Sequence, residues 1–181
     1  MEFFSKTFPE AVFLLIGEAP AENSTTAAPS EKFRLPPRNR YIERAKVYLR
    51  QRKISEELIQ EFYREGLIYE DAQRHNVVFV GKDESGIPRY AHCKGTEDTF
   101  RMDVLGSDKA HNFVYRSDGK SLFVFEAPID LMSFIALYPK NWKSRNYLSL
   151  GGIGAKSLEG FLSERSDMET IYICTDADKA G

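Results

Sequence analysis

Acidic residues and glycines follow three apolar runs in the last third of the sequence, and each run predicts a short β-strand. In an open parallel sheet, ligands bind beside the carboxyl ends of the strands. The spacing therefore predicts one crevice that holds three carboxylates and a stretch of glycine backbone. The runs and the residues after them are Leu122–Phe125 with Glu126, Tyr147–Leu150 with Gly151, Gly152 and Gly154, and Ile171–Cys174 with Asp176 and Asp178.

Carboxylates gathered in one crevice repel one another unless a cation neutralises them or one of them takes up a proton. Hard oxygen ligands select Mg²⁺ or Mn²⁺ over zinc or copper. Asp176 and Asp178 are alternate residues, so an extended segment places both side chains on one side, where they can reach one ion. The structural alternative is that Asp178 caps a following helix.

The elements around these residues alternate between strands and helices. Helical patterns with Ile129, Met132 and Ala136 on one side, and over Ala155–Ser163, separate the three runs. This alternation predicts an α/β fold with a parallel sheet and right-handed crossovers. Upstream, residues 41–120 predict a smaller mixed α+β lobe, in which a helical hairpin precedes several strands. Asp118-Gly119 predicts a hairpin turn into the first parallel strand.

Residues 1–40 predict a helix followed by a linker rather than part of the α/β fold. Pro9 and the apolar run 11–17 predict a helix, and acidic Glu2 and Glu10 disfavour a secretory signal. Residues 18–40 are rich in Ala, Pro, Ser and Thr, which predicts a flexible linker. The predicted segments are 1–17 (helix), 18–40 (linker), 41–120 (helical hairpin and β lobe) and 121–181 (parallel α/β domain).

Composition narrows the class of protein. The chain has 181 residues, 42% of them apolar and 29% charged, which is a globular profile. A net charge of −2 excludes a wholly basic nucleic-acid coat, and two cysteines exclude a disulfide scaffold or a four-cysteine zinc site. No apolar run approaches the roughly 18 residues that span a bilayer. We expect a cytoplasmic protein without a membrane partner.

Basic residues cluster in two places. Residues 38–53 are mainly basic and residues 54–71 mainly acidic. The two helices of the hairpin would attract each other, or the basic edge would meet a phosphate backbone. In the β lobe, four basic residues form a funnel for nucleotide phosphates or single-stranded DNA, or else are scattered surface charge. They are Arg89, Lys94, Arg101 and Lys109.

Two acidic segments carry a resemblance to a known family. Residues 176–181 (DADKAG) resemble the D-x-D-x-A-G motif of Toprim domains, and residues 126–130 (EAPID) are similar to their E-G-x-x-D motif. Leu150-Gly151-Gly152 lies where primases of this family carry a Leu-Gly turn. The resemblance covers residues 121–181. Residues 41–120 resemble the uncharacterised domain that precedes Toprim in proteins of mobile genetic elements, and residues 1–17 resemble the tail of an upstream zinc module whose cysteines are absent from this chain.

The resemblance implies roles for these residues. Glu126 would act as general acid or base in nucleotidyl or phosphoryl transfer, Asp176 and Asp178 would hold Mg²⁺ (or Mn²⁺), and Gly151 and Gly152 would support the site. Asp130 would orient a lysine or water, or serve as a first-turn helix acid. Ala127 departs from the family glycine, and with the chain ending at Gly181 we expect an incomplete sheet, a third strand without a neighbour and an inactive fragment.

The implied function is that of a DNA primase-like nucleotidyltransferase in the replication or transfer of a mobile element. Its partners would be DNA, in single-stranded form, nucleotides, and other replication or transfer proteins. Two alternatives stay open. One is a non-catalytic accessory protein that binds single-stranded DNA, and the other is a Toprim nuclease.

Overall fold

The computed structural model describes residues 4–6, 32–152 and 155–175. Within these ranges the strands are β1 (Phe4–Lys6), β2 (Ile68–Glu70), β3 (Val77–Lys82), β4 (Pro88–Lys94), β5 (Arg101–Asp103), β6 (Val114–Tyr115), β7 (Ser121–Phe125), β8 (Asn146–Ser149) and β9 (Thr170–Ile173). The α-helices are α1 (Glu43–Gln51), α2 (Glu56–Arg64), α3 (Pro128–Leu137) and α4 (Lys156–Glu164). Across the described ranges, no helix combines the length and apolar character that a bilayer crossing demands.

The C-terminal part of the chain builds a five-stranded sheet with the order β1-β9-β7-β8-β6. Strand β7 runs parallel to both of its neighbours, β8 and β9, whereas β1 and β6 pair antiparallel at the two edges. Helices α3 and α4 follow β7 and β8 in the chain. The predicted α/β class with a parallel sheet is confirmed.

Alternation along β7 assigns its side chains to two hydrophobic cores. Phe123 and Phe125 pack with the buried residues of α3, whereas Leu122 and Val124 pack with those of α4. Successive residues of a strand point to opposite faces, so a strand covered on both sides is apolar throughout. The buried residues of α1 and α2 join the core on the α3 side. The helical hairpin therefore packs on the same sheet face as α3.

The N-terminal lobe combines this hairpin with an antiparallel sheet of order β2-β3-β4-β5. Ser55 caps α2 as predicted, because its hydroxyl accepts a hydrogen bond from the Leu58 N–H at 3.3 Å. Helix α1 is capped from a distance. The buried carboxylate of Glu70 accepts hydrogen bonds from the N–H groups of Arg44 (2.8 Å) and Ala45 (3.0 Å), two donors that a helix start leaves unsatisfied.

The hairpin predicted at Asp118-Gly119 is wrong, because β8 lies between β6 and β7. Polar side chains hold this turn instead of ladder hydrogen bonds. The Asn146 amide accepts from the Ser117 N–H at 2.8 Å and donates to the Gly119 carbonyl at 2.7 Å. The Arg165 guanidinium donates to the carbonyls of the same two residues. Contacts distant in sequence thus override a strong local turn signal.

Strand β1, at the edge of the five-stranded sheet, contradicts two further predictions. Residues 4–6 form strand β1, which pairs antiparallel with β9, so the helix predicted over residues 1–17 is wrong at these positions. Strand β9 has a neighbour on each side, so the third parallel strand does not lack one. The other residues of the predicted N-terminal helix lie outside the described ranges.

The end of the predicted linker is ordered by contacts with β2. The Tyr69 hydroxyl donates to the Pro36 carbonyl at 2.7 Å, the Asn39 N–H donates to the Glu70 carbonyl at 2.8 Å, and Arg38 forms a β-bridge with Asp71. Strand β2 is an edge strand whose backbone groups need partners. Residues 36–40 of the predicted linker are therefore held against β2, and residues 18–31 lie outside the described ranges.

Candidate active site

A cleft of about 540 Å³ lies between the N-terminal lobe and the ends of the parallel strands. Clefts of roughly 300–1,000 Å³ are typical of small-molecule sites. The N-terminal lobe lines it with Tyr48, Arg52, Phe79, His92, Lys94, Arg101, Met102 and Asp103. The parallel α/β part lines it with Glu126, Ala127, Pro128, Ile129, Asp130, Gly151 and Gly152.

Glu126 stands at the carboxyl end of β7, as predicted, and lines the cleft in a half-buried position. Ala127 is extended, with φ −128° and ψ 155°, so the departure from glycine places no side chain in a left-handed conformation. Helix α3 then begins at Pro128, whose fixed φ suits a first helical position. Asp130 lies in the first turn, is exposed and lines the same cleft. Its position is compatible with both of its predicted roles.

The glycine turn after β8 is joined to the end of β7. The Gly151 N–H donates to the Glu126 carbonyl at 3.0 Å. Gly151 has a φ of +66°, and a Cβ at this position would collide with the side-chain amide of Asn112. That amide is itself buried and donates to the Leu150 carbonyl at 2.9 Å. Gly151 therefore needs to be glycine for both its conformation and its close approach to Asn112.

Three cationic side chains line the opposite wall. Lys94 on β4 and Arg101 on β5 are direct partners in the antiparallel pair. Arg52, at the end of α1, places its guanidinium carbon 4.9 Å from the centre of the Tyr48 ring. These cations share a cleft with the carboxylates of Glu126 and Asp130, and together they offer contacts for phosphate and for a cation.

The two other predicted phosphate-binding residues lie elsewhere. The Arg89 Nε donates to Asp83 Oδ2 at 2.8 Å, within the turn region between β3 and β4, and Arg89 does not line the cleft. Lys109 is exposed, and its Nζ lies 3.3 Å from Asp103 Oδ2. It thus contacts a residue of the cleft wall without lining the cleft. The structure brings Lys94 and Arg101 together, and it separates Arg89 from them.

A hydrogen-bond network around Asp103 forms part of the same wall. Asp103 Oδ1 accepts from the Tyr90 hydroxyl at 2.6 Å and lies 2.8 Å from His92 Nδ1. Burial by itself would raise the pKa of Asp103, but the hydrogen bonds of Tyr90, His92 and Lys109 outweigh it and lower the pKa of this carboxyl below its usual value. Because an ionised carboxylate can only accept, His92 Nδ1 carries a proton and donates it.

The backbone that precedes Asp176 and Asp178 runs beside Glu126. Strand β9 pairs in parallel with β7, with Val124 opposite Ile173, and the Cys174 N–H donates to the Val124 carbonyl at 2.8 Å. The same register places Thr175 level with Glu126. Asp176 and Asp178 themselves lie outside the described ranges, so their convergence with Glu126 stays a prediction.

Two family models match this chain. Residues 123–181 match a model described as Toprim-like. Residues 47–121 match a model described as "Protein of unknown function (DUF3991)". The chain contains a Toprim-like domain preceded by a DUF3991 domain. The cleft therefore lies between these two domains, with Glu126 on the Toprim-like side and the cations on the DUF3991 side.

A curated relative matches most of this chain. The "Uncharacterized protein pXO2-78" of Bacillus anthracis is 26% identical over 155 residues, which are 77% of this chain and 45% of that protein. The chain thus spans less than half the length of this relative.

Solved primases share the fold. The primase fragment of the bacteriophage T7 primase-helicase has a TM-score of 0.54 at 19% identity, over 73% of this chain and 54% of that one. The E. coli primase catalytic core has a TM-score of 0.51 at 17% identity, over 77% and 57%. A structure of the T7 lagging-strand polymerase with primase domains bound to an RNA/DNA hybrid and dTTP has a TM-score of 0.52 at 19% identity, over 71% and 58%. At these identities the similarity shows the fold.

Toprim domains and primases use divalent metal ions, and the Toprim-like domain of this chain has suitable donor chemistry at Glu126. In the ranges that the structure describes, no group of three or more His, Cys, Asp or Glu side chains could hold a metal ion. The predicted ligands Asp176 and Asp178 are outside those ranges. The donor set is all carboxylate, which fits Mg²⁺ or Mn²⁺.

Sequence reasoning undervalued His92 and Asp103 in the DUF3991 domain. Neither residue was assigned to the site from the sequence. The sequence signal that distinguishes His92 from its neighbour Cys93 is the alternation of side chains between the two faces of a strand. His92 lines the cleft, while the neighbouring Cys93 is buried in a different core. The pairing of β4 with β5 then places Asp103 directly opposite His92.

Proposed function

We propose that the cleft between the DUF3991 and Toprim-like domains is the site of a primase-like enzyme that transfers nucleotidyl or phosphoryl groups on nucleic acid. The observation that carries the proposal is that one cleft is lined both by a strand-end carboxylate, Glu126, and by three cations, Arg52, Lys94 and Arg101. Phosphate chemistry needs cations to bind its charge and a base to activate the attacking hydroxyl. The primase fold is consistent with this assignment.

In this proposal Glu126 acts as general base or acid, and Lys94 and Arg101 bind substrate phosphates. Asp176 and Asp178 hold Mg²⁺ (or Mn²⁺), which when bound stabilises charge on the transferring phosphoryl group. Glu126 is suited to its role because hydrogen bonds of its carbonyl to Gly151 and Ser149 fix its main chain at the sheet edge. Its half-buried position limits the access of water while leaving it open to substrate.

The proposed partners are DNA, in single-stranded form, and nucleotides. Support comes from the structure of the T7 lagging-strand polymerase with primase domains, an assembly that is bound to an RNA/DNA hybrid and dTTP. The relative in Bacillus anthracis carries the designation of plasmid pXO2 in its name. We therefore place the function in the replication or transfer of a mobile element, where other replication or transfer proteins would be partners.

Primer synthesis by the full-length protein tests the proposal. The assay supplies single-stranded DNA, nucleoside triphosphates and Mg²⁺, and compares the unaltered protein with Glu126→Gln and Asp176→Asn. We expect Glu126→Gln to lower the rate roughly 10²- to 10⁴-fold, the range for loss of a general base, and Asp176→Asn to lower the rate through loss of a metal ligand. Glu159→Gln is the matched control, since Glu159 is an exposed carboxylate on α4 that does not line the cleft.

The outcomes separate the three candidate functions. Primer products that depend on Glu126 support the primase-like enzyme. Strand scission in the same assay, with the same dependence, identifies a nuclease. Salt-dependent binding of single-stranded DNA without any product identifies an accessory protein. Activity that both substitutions leave unchanged contradicts the assigned roles.

A further inference from the structure

The chain contains two histidines that are held in the same way by a carboxylate. His75 Nδ1 lies 2.6 Å from Glu70 Oε1, and His92 Nδ1 lies 2.8 Å from Asp103 Oδ1. Both carboxylates accept additional hydrogen bonds, and hydrogen bonding keeps the pKa of both below its usual value despite the opposing effect of burial. In each pair the carboxylate fixes the imidazole ring and its Nδ1 proton.

The His75–Glu70 and His92–Asp103 pairs lie in different surroundings. Glu70 is 2% exposed, and it also accepts from the backbone at the start of α1. The His75–Glu70 pair is therefore part of the structural support of that helix. Asp103 and His92 instead line the cleft, next to Lys94 and Arg101. Asp103 does not cap a helix: it accepts from the hydroxyl of the buried Tyr90, and its partner His92 lines the cleft.

We propose that His92, oriented by Asp103, is a binding residue of the cleft whose Nε2–H donates to a phosphate oxygen of the substrate. This inference rests on the proposed function and assigns part of the phosphate site to the DUF3991 domain. The ligand chemistry is a phosphate oxyanion, which belongs to a nucleoside triphosphate or to the backbone of single-stranded DNA.

The groups around His92 suit the binding of an anion. Asp103 is ionised and holds Nδ1–H, so a second proton on Nε2 gives a donor aimed away from the pair. Lys94 lies two residues along β4, on the same face of the strand, and Arg101 is its partner on β5. Arg52 on α1 adds positive charge.

The remaining groups near His92 determine on which side of the cleft a phosphate would bind. The Tyr90 hydroxyl and Lys109 both bind Asp103, and Phe79 places its ring centre 6.5 Å from the imidazole. Glu126 and Asp130 line the same cleft from the Toprim-like domain. Their negative charge disfavours a phosphate placed against them. A phosphate bound by His92 would therefore sit on the DUF3991 side, with Lys94 and Arg101.

Nuclear magnetic resonance of the full chain with ¹⁵N-labelled histidine tests the inference directly. The 181 residues include three histidines, so each can be assigned by substitution. At about pH 7, where an ordinary imidazole is mostly neutral, ATP should shift the His92 ring nitrogens toward imidazolium values. His75 should not move. A nucleoside triphosphate and a short DNA strand without a terminal triphosphate form separate arms, and the arm that moves His92 identifies the source of the phosphate.

Affinity measurements add a second readout. We expect His92→Gln to weaken binding of the responding ligand about 10-fold, the scale of one charge-assisted hydrogen bond. In the unaltered chain the affinity should fall as the pH rises from about 6 to about 8, and the substitution should remove that part of the pH dependence. His75→Gln serves as the matched control, with thermal unfolding measured for both variants.

The results separate this inference from the proposed function. If neither ligand moves the His92 resonances, or if His92→Gln binds with unchanged affinity and pH dependence, the inference is wrong, even when Glu126→Gln abolishes catalysis. If His92 responds as expected while Glu126→Gln keeps full activity, the phosphate site stands and the assigned catalytic role fails.

Discussion

Lys94 and Arg101 face each other as direct partners across the antiparallel strands β4 and β5, and both line the cleft that contains Glu126. Like charges in directly opposite positions of a sheet destabilise it. Lys94 Nζ donates to the Phe100 carbonyl at 3.3 Å, and an anion bound between the two side chains would relieve the repulsion between them.

We predict that Lys94→Gln and Arg101→Gln each weaken binding of single-stranded DNA while leaving the melting temperature unchanged or slightly raised. Each lost phosphate contact should also reduce the slope of log affinity against log salt by about 0.7. Titrations at several salt concentrations measure both quantities. Arg89→Gln is the control, because Arg89 is paired with Asp83 outside the cleft, and its binding curve should match that of the unaltered chain.

Gly151 gives a prediction about the turn that meets Glu126. Gly151→Ala combines a positive φ with a collision against the Asn112 amide. We expect it to lower the free energy of unfolding by about 2–4 kcal/mol, the sum of a conformational cost and of steric overlap. Chemical denaturation of the variant measures the difference.

Gly86→Ala is the control for the conformational part of that cost. Gly86 has a φ of +77°, and nothing lies within 4 Å of the position that its Cβ would occupy. This substitution should therefore cost only about 1 kcal/mol. Equal costs at the two positions would contradict a close approach between Gly151 and Asn112.

Glu70 links stability to pH. Burial opposes its ionisation, but hydrogen bonds from Ala45, His75, Asn39 and Arg44 prevail, and the pKa of Glu70 is lowered in the folded chain. A pKa below the unfolded value means that this stabilisation is present above about pH 4.3 and is lost as the pH falls through the folded pKa.

We predict that Glu70→Gln lowers the free energy of unfolding at neutral pH by about 1–3 kcal/mol, because a backbone donor at the start of α1 loses its acceptor. The difference from the unaltered chain should shrink as the pH falls from about 5 toward 3. Urea unfolding across that interval measures it. A gap that stays constant with pH would show that the ionised form of Glu70 contributes nothing.

Much of the fold was predictable because its signals are local. Ser55 precedes an apolar helical face and caps α2, and the run from Leu122 to Phe125 is apolar throughout because both faces of β7 are covered. In the same way, the position of Glu126 follows from the end of that run. Periodicity and capping chemistry are properties of a few neighbouring residues.

The errors arose where distant segments meet. Asp118-Gly119 has strong turn chemistry, yet Asn146 and Arg165 capture its backbone and β8 takes the place beside β7. The pairing of residues 4–6 with β9 joins opposite ends of the chain and has no local signal. The cleft depends on the packing of two domains. From the sequence, Lys94, Arg101 and Arg89 were therefore equal candidates for phosphate binding, and only the structure shows that Arg89 lies outside the cleft.

The central claim is that Asp176 and Asp178 converge with Glu126 on one divalent ion, and a crystal structure of the full-length protein with Mn²⁺ tests it most directly. The anomalous signal of manganese locates the ion independently of the protein atoms. The account predicts one Mn²⁺ at the end of β7 and β9, with oxygens of Asp176 and Asp178 bound directly to it and with Glu126 in its coordination sphere or one water away. An ion bound elsewhere, or aspartates that point to the opposite edge of the sheet from Glu126, would contradict it.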